Sequence, residues 1–478
     1  MLRTYQFQHG INKGKQGKIR SVIKAYRLTA QSIACRQWRL FFENKSGFDK
    51  DLDIKYILSS LSGRYKQTCQ YQVIGILNSF ISNRQNDFVQ TVYRSNLNDI
   101  IRQKLFYINY HGFWYSNTAS VIKTRLEIDV ETLKLARRIF NHILKRHRRP
   151  SMKHINMALD NKVAVISEAR PDGARSFDYW VRLSTLEKGY PVMLPVIGNP
   201  YYENIKGTRR SFCQINLTED DEITVLFIKD VPRLEYIPIT PKFALDLGLV
   251  YLFASDKGDL FGRQFYEVLQ RYDALISKLT SNRQRQGFPI RNKRYRKLIH
   301  NLRQYMKNEI NRVLNRTIEL YKPAEIVVER LNFQNANLSR RMNRLLSWFG
   351  KSCVTQKLQS IQEEYGIIVT YTNPAYSSQE CSSCSYVDKD NRKTQAEFQC
   401  KICNTSIHAD VNGARNHLVR SSDKVIDIYK SKGTVLRVLT ERFLLVAERI
   451  PRLYSKAKDL LPGNPYFRDT LAQSKGFL

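Results

Sequence analysis

Four cysteines in this 478-residue chain have the spacing of a metal site. They form two Cys-x-x-Cys pairs separated by 15 residues, and these are Cys381, Cys384, Cys400 and Cys403. Two thiolates at this spacing bind one edge of a metal ion, and a second pair completes a tetrahedral ligand set for zinc. Because four thiolates leave no open coordination position, the sequence predicts one structural Zn²⁺ ion and not a catalytic one.

The residues that follow the two pairs are Ser385 and Asn404, at positions where tight metal-binding turns often carry glycine. Glycine is favoured there because it adopts a positive backbone φ without steric cost. Asparagine tolerates a positive φ better than serine does. The first of the two turns is therefore expected to be the less stable one.

Three acidic residues occur in local contexts that indicate a second kind of site. Asp246 interrupts an apolar strand, Glu329 ends the run Ile326-Val327-Val328, and Asp410 opens a helix just after the cysteines. Each of them alone could be a solvated strand end or a helix N-cap. Together they predict a set of carboxylates that converge at one place.

Such a carboxylate set could hydrolyse phosphodiester bonds. Two Mg²⁺ ions about 3.5–4 Å apart can activate a water molecule and stabilise the leaving oxygen, and hard oxygen ligands hold these ions. Alternating strands and helices over residues 240–370 predict an α/β sheet, and carboxylates at the ends of its strands would be placed rigidly.

The charge of the chain indicates the class of its partner. The chain has 78 Lys and Arg against 43 Asp and Glu, which gives a net charge of +35. This excess repels itself in a compact state, so a polyanion is expected to neutralise it. Nucleic acid is the first candidate and an anionic membrane surface is the second.

Three further observations favour a cytoplasmic protein without a membrane partner. No apolar run approaches the roughly 20 residues that a spanning helix needs. The first residues lack the apolar core of a signal peptide. Eight cysteines are too few for a disulfide scaffold in a chain of this length.

Three stretches of the chain carry most of the unbalanced positive charge. Residues 1–45 hold ten Lys and Arg against one acid, 134–153 hold eight against none, and 282–312 hold ten against one. With so few acids nearby, these stretches are expected to contact phosphates.

The first half of the chain changes its pattern from helical to β. Short segments rich in β-branched and aromatic residues recur between residues 163 and 231, separated by turn residues. They predict a β-barrel that also includes a first strand around residues 5–8. The helical region at 16–124 would then be an insertion in this barrel.

The motifs of the second half resemble those of the transposon-encoded TnpB proteins and the compact type V CRISPR effectors. The resemblance covers residues 242–419, and its strongest feature is the order acid, acid, cysteine motif, acid. It rests on Leu245-Asp246-Leu247-Gly248, Val328-Glu329-Arg330-Leu331, residues 373–384 and Ala409-Asp410-Val411-Asn412-Gly413-Ala414-Arg415-Asn416. The chain departs from the family at Ser385 and Asn404, and at Gly413, where alanine is common.

The resemblance implies an α+β multidomain fold. Residues 1–15 and 125–235 would form a β-barrel wedge domain, and 16–124 a helical recognition insertion. Residues 236–374 and 408–425 would form an RNase H-like, RuvC-type α/β nuclease domain, interrupted at 375–407 by a zinc ribbon that binds the target nucleic acid. Residues 426–478 would be a C-terminal helical extension.

The resemblance also implies an RNA-guided DNA endonuclease. Asp246, Glu329 and Asp410 match the catalytic positions, which would bind two Mg²⁺ or Mn²⁺ ions, and Arg415 is a candidate contact to the scissile phosphate. A guide RNA would pair with double-stranded target DNA beside a short motif that the protein recognises. The basic stretches at 1–45 and 134–153 would hold guide RNA and duplex ends, and 282–312 would line the path of the heteroduplex.

Several alternatives are compatible with the sequence. The chain could be a non-cleaving nucleic-acid-binding regulator, a nuclease that works without a guide, or a protein of an anionic membrane surface. Transposon-associated and CRISPR-associated proteins both fit the sequence, as do a monomer and an asymmetric dimer on one RNA.

Overall fold

The computed structural model describes residues 1–45, 47–116, 127–169, 176–218, 221–329 and 338–468. These residues form two compact units, Met1–Pro232 and Arg233–Leu478. None of the described helices combines the length and the apolar character needed to cross a membrane.

The first unit combines a sheet with a group of helices. Its strands are β1 (Leu2–His9), β2 (Met157–Leu159), β3 (Ala164–Glu168), β4 (Tyr179–Leu183), β5 (Val192–Ile197), β6 (Thr208–Leu217) and β7 (Ile223–Asp230). Its helices are α1 (Lys13–Glu43), α2 (Gly63–Tyr93), α3 (Asp99–His111), α4 (Val130–Arg146) and α5 (Pro200–Asn204).

All seven strands join one antiparallel sheet in the order β2-β6-β7-β1-β5-β4-β3. The predicted first strand is therefore central, pairing with β7 along Leu2–Phe7 and with β5 at its end. β3 also packs near β6, so the sheet curls back on itself. Among the described residues its edge strands β2 and β3 are not hydrogen-bonded to each other, and the sheet is nearly closed.

The helices α1 to α4 lie between β1 and β2 in the chain. The predicted apolar stripe of α1 is confirmed, because Ile19, Val22, Ile23 and Tyr26 are fully buried. This stripe packs in one core with the inward side chains of the sheet. A second core, around the stacked rings of Trp114 and Phe140, joins α2, α3 and α4. The predicted boundary at 124/125 lies outside the described residues.

The second unit contains β8 (Thr240–Leu247), β9 (Phe253–Ser255), β10 (Leu260–Phe261), β11 (Pro323–Glu329), β12 (Ile368–Thr372), β13 (Glu397–Gln399) and β14 (Ser406–His408). Its helices are α6 (Phe265–Arg285), α7 (Lys293–Tyr321), α8 (Arg340–Leu345), α9 (Lys351–Tyr365), α10 (Ala409–Arg420), α11 (Lys432–Arg449) and α12 (Pro451–Leu460). A π-helical turn, Leu346–Gly350, joins α8 to α9.

Five of these strands form a mixed sheet in the order β10-β9-β8-β11-β12. β8, β11 and β12 run parallel, whereas β8, β9 and β10 are antiparallel neighbours. The predicted α/β organisation of residues 240–370 is confirmed, since α6, α7 and α9 pack on this sheet in one apolar core. The parallel arrangement brings the carboxyl ends of β8 and β11 to the same edge.

The last helices pack on the segment that contains the four cysteines (residues 375–407, the cysteine segment). The ring of Tyr386 stacks on Phe467 with centroids 5.7 Å apart and contacts Phe443 at 5.1 Å. Asn464 Nδ2 donates to Tyr386 Oη at 2.9 Å and to the Val387 carbonyl at 3.0 Å. The stretch that follows residue 425 therefore supports this segment as far as residue 468, where the described residues end.

Candidate metal centres

The four predicted cysteines come together in the second unit. Cys381 Sγ lies 3.6 Å from Cys403 Sγ, and Cys384 Sγ lies 3.6 Å from Cys400 Sγ. All four sulfur atoms lie within 4.8 Å of one another. A disulfide would need about 2.05 Å, whereas two thiolates on one tetrahedral zinc ion lie about 3.8 Å apart. The cluster therefore fits one zinc ion.

The turns after each cysteine pair have the backbone conformation expected from the sequence. Ser385 has φ 65° and Asn404 has φ 58°. The Ser385 amide donates to the Cys381 carbonyl at 2.8 Å, and the Asn404 amide donates to the Cys400 carbonyl at 3.0 Å. Both residues thus hold a left-handed conformation that costs a non-glycine residue about 1 kcal/mol.

Replacing Ser385 with glycine is expected to slow zinc release, because the substitution removes this backbone strain from the bound state. If the zinc-bound state is stabilised by about 1 kcal/mol, the rate of zinc release should fall roughly fivefold. The rate can be followed with a colorimetric zinc chelator. Ser383→Gly is a matched control, because Ser383 does not share the positive φ of Ser385. Release as fast as that of the wild type in Ser385→Gly would contradict the expectation.

The helix α10 connects the cysteine segment to the sheet. Asn412 Nδ2 and Asn416 Nδ2 both donate to the Glu380 carbonyl at 2.7 Å, just before Cys381. Arg420 donates to the carbonyls of Asn373 at 2.8 Å and Ala375 at 2.7 Å. Because these side chains are buried, the position of α10 depends on the backbone of the cysteine segment.

Asp246 and Glu329 lie side by side at the edge of the sheet. Their strands β8 and β11 are parallel, and Leu245 is in register with Val328, one residue before each acid. Asp246 is buried and Glu329 is half-buried. Each acid directly follows an apolar strand segment that packs in the core, and the parallel pairing of these two segments makes the acids neighbours.

Asp410 reaches the same place from the second residue of α10. The backbone of α10 lies so close to β8 that a Cβ atom on Gly413 would be 2.8 Å from Asp246 Oδ2. A Cβ atom on Gly248 would likewise lie 3.2 Å from Asp410 Oδ2. The structure thus brings together all three acids that the sequence singled out.

Two of the three carboxyl groups, those of Glu329 and Asp410, have raised pKa values. Burial, then the charges of Asp246 and Asp410, hold the pKa of Glu329 well above its usual range. Burial and the charge of Asp246 raise the pKa of Asp410 to about 6, although Arg392 opposes the shift. Negative charge held in a partly buried site favours a divalent cation, so these residues fit the metal site that the sequence predicts.

Two residues of this site escaped the sequence prediction. Arg392 Nη2, from the cysteine segment, lies 3.2 Å from Asp410 Oδ1. His417 Nε2, on α10, lies 3.4 Å from Asp246 Oδ1. His417 follows Asp410 by seven residues, which is two helical turns, so the spacing was a usable signal. The sequence carries no comparable signal for Arg392, because its contact with Asp410 forms only when the cysteine segment packs against α10.

Arg415 lies apart from these contacts. Its side chain is on the exposed face of α10, and its Nε donates to the carbonyl of Asp256 at 3.2 Å. Contact between Arg415 and a scissile phosphate stays a prediction.

Replacing Asp410 with asparagine is expected to stabilise the protein in the absence of magnesium. The pKa of Asp410 is about 6 in the folded state against 3.8 for an ordinary aspartate. Well above pH 6 the carboxyl is ionised in both states, so the folded state bears the full cost, on the order of 3 kcal/mol. The cost disappears as the pH falls from 6 towards 4, where the folded carboxyl is protonated.

The measurement is urea unfolding at pH 7.5 and pH 4.5 in magnesium-free buffer, with zinc retained. Asp410→Asn should gain stability at the higher pH only, and the exposed Asp459→Asn should change little at either. A loss of stability at pH 7.5 would show that the pair with Arg392 outweighs the repulsion.

Residues 353–417 match the family model "Cas12f1-like, TNB domain". Over 71 residues the chain is 44% identical to the CRISPR-associated endodeoxyribonuclease Cas12f1 of Sulfoacidibacillus thermotolerans, which covers 15% of this chain and 17% of the relative.

Two other relatives are more distant. InsQ of Escherichia coli (strain K12), for which RNA-guided DNA endonuclease activity is proposed, is 28% identical over 204 residues, 38% of this chain and 49% of InsQ. A TnpB-like protein of Aquifex aeolicus (strain VF5) is 26% identical over 108 residues, 21% of this chain and 35% of the relative. The chain thus spans half or less of the length of the curated relatives it matches.

Proposed function

Because this chain belongs to the family of TnpB-like proteins and compact type V CRISPR effectors, we propose that it is an RNA-guided DNA endonuclease. The observation that carries this proposal is the convergence of Asp246, Glu329 and Asp410 beside a four-cysteine cluster. Their order along the chain is the order of the family motifs. The site therefore supports phosphodiester hydrolysis in a RuvC-like domain.

The proposed mechanism assigns the three carboxylates to metal binding. Two Mg²⁺ ions, or Mn²⁺ ions, bound by Asp246, Glu329 and Asp410 would activate the attacking water and stabilise the leaving oxygen. The protein contributes rigid placement, since β8 and β11 fix two of the acids and α10 fixes the third.

Arg392 has a proposed role in substrate binding. Its guanidinium lies beside Asp410, so it is close to the place where a phosphate would approach the carboxylates. Arginine binds phosphate well because its planar donors match two oxygens at once. We propose that Arg392 exchanges its carboxylate partner for the scissile phosphate, and that Arg415 contacts the same strand further out on the exposed face of α10.

The domains are proposed to divide the other tasks. The nearly closed sheet, with its helical insertion, would be the wedge and recognition region that holds guide RNA and the short duplex motif of the target. The cysteine segment would be the zinc ribbon that binds target nucleic acid. The basic start of α7 fits the heteroduplex path, because Lys293, Arg294 and Lys297 are exposed there.

The experiment that tests this function begins with the RNA that purifies with the protein. A defined RNA species that resists a salt wash supports guidance, and so does cleavage of a plasmid only when the guide matches it. Cleavage without any RNA would favour a guide-independent nuclease. Tight binding of the RNA without cleavage in Mg²⁺ or Mn²⁺ would favour a non-cleaving regulator.

A further inference from the structure

A buried nitrogen atom lies against the carboxylate cluster without a hydrogen bond to the part of the chain that the structure describes. His417 is fully buried, and its Nε2 makes no hydrogen bond to any residue that the structure describes. Nevertheless this atom is only 3.4 Å from Asp246 Oδ1. An unpaired polar atom costs free energy when it is buried, so its place in the core requires an explanation.

The other side of the imidazole ring determines which way its lone pair points. His417 Nδ1 lies 2.8 Å from Thr372 Oγ1, and this hydroxyl donates to the Val328 carbonyl at 3.3 Å. A hydroxyl has one hydrogen, so Thr372 must accept from Nδ1–H of the histidine. In this tautomer, with the hydrogen on Nδ1, the ring presents the lone pair of Nε2 towards the carboxylate of Asp246. Two acceptors facing each other favour a cation that both can bind.

From this geometry we infer that His417 Nε2 is a ligand of one of the two metal ions, which makes the two ions chemically unlike. The ligand atoms of Asp246, Glu329 and His417 all lie within 4.8 Å of one another. They would form an inner site with one nitrogen ligand, whereas Asp246 and Asp410 would form an outer site with oxygen ligands only. The inference rests on the proposed function, because it concerns the same carboxylates.

A nitrogen ligand changes which metal the inner site prefers. Imidazole suits transition metals, whereas Mg²⁺ prefers carboxylate, carbonyl and water oxygens. The inner site is therefore expected to bind Mn²⁺ roughly tenfold or more tightly than Mg²⁺, and to lose roughly tenfold in Mn²⁺ affinity when the histidine is replaced.

The test uses the full-length protein with zinc in the cysteine site and Mn²⁺ as the added probe. Electron spin-echo envelope modulation of the bound Mn²⁺ should contain a ¹⁴N coupling, and uniform ¹⁵N-histidine labelling should replace it by a ¹⁵N coupling. His417→Leu, which has a similar volume, should remove the coupling and weaken Mn²⁺ binding about tenfold. If that variant does not fold, the labelled His408→Asn protein decides the question, because loss of the coupling there would assign the nitrogen to His408 instead of His417.

His408→Asn is the matched control. His408 Nδ1 caps α10 by accepting from the Asp410 amide at 3.3 Å, and asparagine can keep this cap. The control should retain the nitrogen coupling. Absence of coupling in the wild type, or its persistence in His417→Leu, would overturn the inference.

The outcome for this inference is separate from the outcome for the proposed function. A protein that cleaves guided targets in Mg²⁺ but shows no nitrogen coupling to Mn²⁺ would overturn the inner site alone. A protein that shows the coupling but never cleaves would keep the inner site and overturn the nuclease.

Discussion

Asp246→Ala is expected to lower guided DNA cleavage by more than about a thousandfold while guide RNA binding changes by less than about twofold. Asp246 lies between the other groups of the site: it is next to Glu329 across β8 and β11, it faces α10, and it contacts His417. A loss of three decades corresponds to about 4 kcal/mol of transition-state stabilisation, which is reasonable for a residue that is proposed to hold both ions.

The measurement is single-turnover cleavage of a matched linear duplex at saturating Mg²⁺, together with a binding curve for the guide RNA. Asp259→Ala is a suitable control, because Asp259 is an exposed acid in the turn between β9 and β10 of the same sheet. It should cleave like the wild type. Metal-dependent cleavage that persists in Asp246→Ala would falsify the assignment of this site.

The same variant separates a defect in chemistry from a defect in folding. The charge of Asp246 contributes to the raised pKa of both Glu329 and Asp410. Its removal relieves this repulsion, so the magnesium-free variant should be no less stable than the wild type. A variant that loses both cleavage and stability would point to a structural role instead.

The parts of the site that the sequence predicted share one property, which is that local spacing is sufficient to find them. Each cysteine pair lies in a backbone turn of a few residues that can hold zinc. The positive φ of the residues that follow the pairs, Ser385 and Asn404, was expected from the geometry of such turns. Glu329 ends an apolar strand, so its position at the sheet edge required only the recognition of that strand. The neighbouring positions of Asp246 and Glu329 then followed from the parallel pairing of β8 and β11.

The parts that the sequence did not predict depend on tertiary packing. Arg392 meets Asp410 because the cysteine segment folds back over the start of α10. Helical spacing could place His417 on the same face of α10 as Asp410, but its burial and its hydrogen bond to Thr372 depend on tertiary packing. The final stretch was predicted to be helical, but nothing in the sequence indicated that its aromatic residues complete the core of the cysteine segment.

Cys384→Ser is expected to abolish zinc binding and to reduce cleavage by more than about a hundredfold, although this residue touches none of the three acids. A segment of this size cannot bury enough apolar surface to fold alone, and chains under about 40 residues usually need a metal or disulfides. Binding of structural zinc contributes on the order of 10 kcal/mol to folding in comparable small sites. Loss of the ion should therefore unfold the segment locally.

This local unfolding should reach the carboxylates through α10. The carbonyl of Glu380 accepts hydrogen bonds from Asn412 and Asn416. Because Glu380 immediately precedes Cys381, the position of this carbonyl depends on the zinc site. Without that anchor, α10 is no longer held against β8, and Asp410 leaves its place opposite Asp246. Hydrogen exchange at the amides of the cysteine segment and α10 should rise, whereas exchange in β8 and β11 should change little.

Zinc content, hydrogen exchange and guided cleavage together measure this coupling. Cys353→Ser is the matched control, because Cys353 is a buried cysteine of α9 in the same unit that is not part of the four-cysteine cluster. It should keep its zinc and most of its activity. If Cys384→Ser lost its zinc but kept full cleavage, α10 would have to be held by the sheet alone, and the hydrogen bonds from Asn412, Asn416 and Arg420 would not determine the position of Asp410.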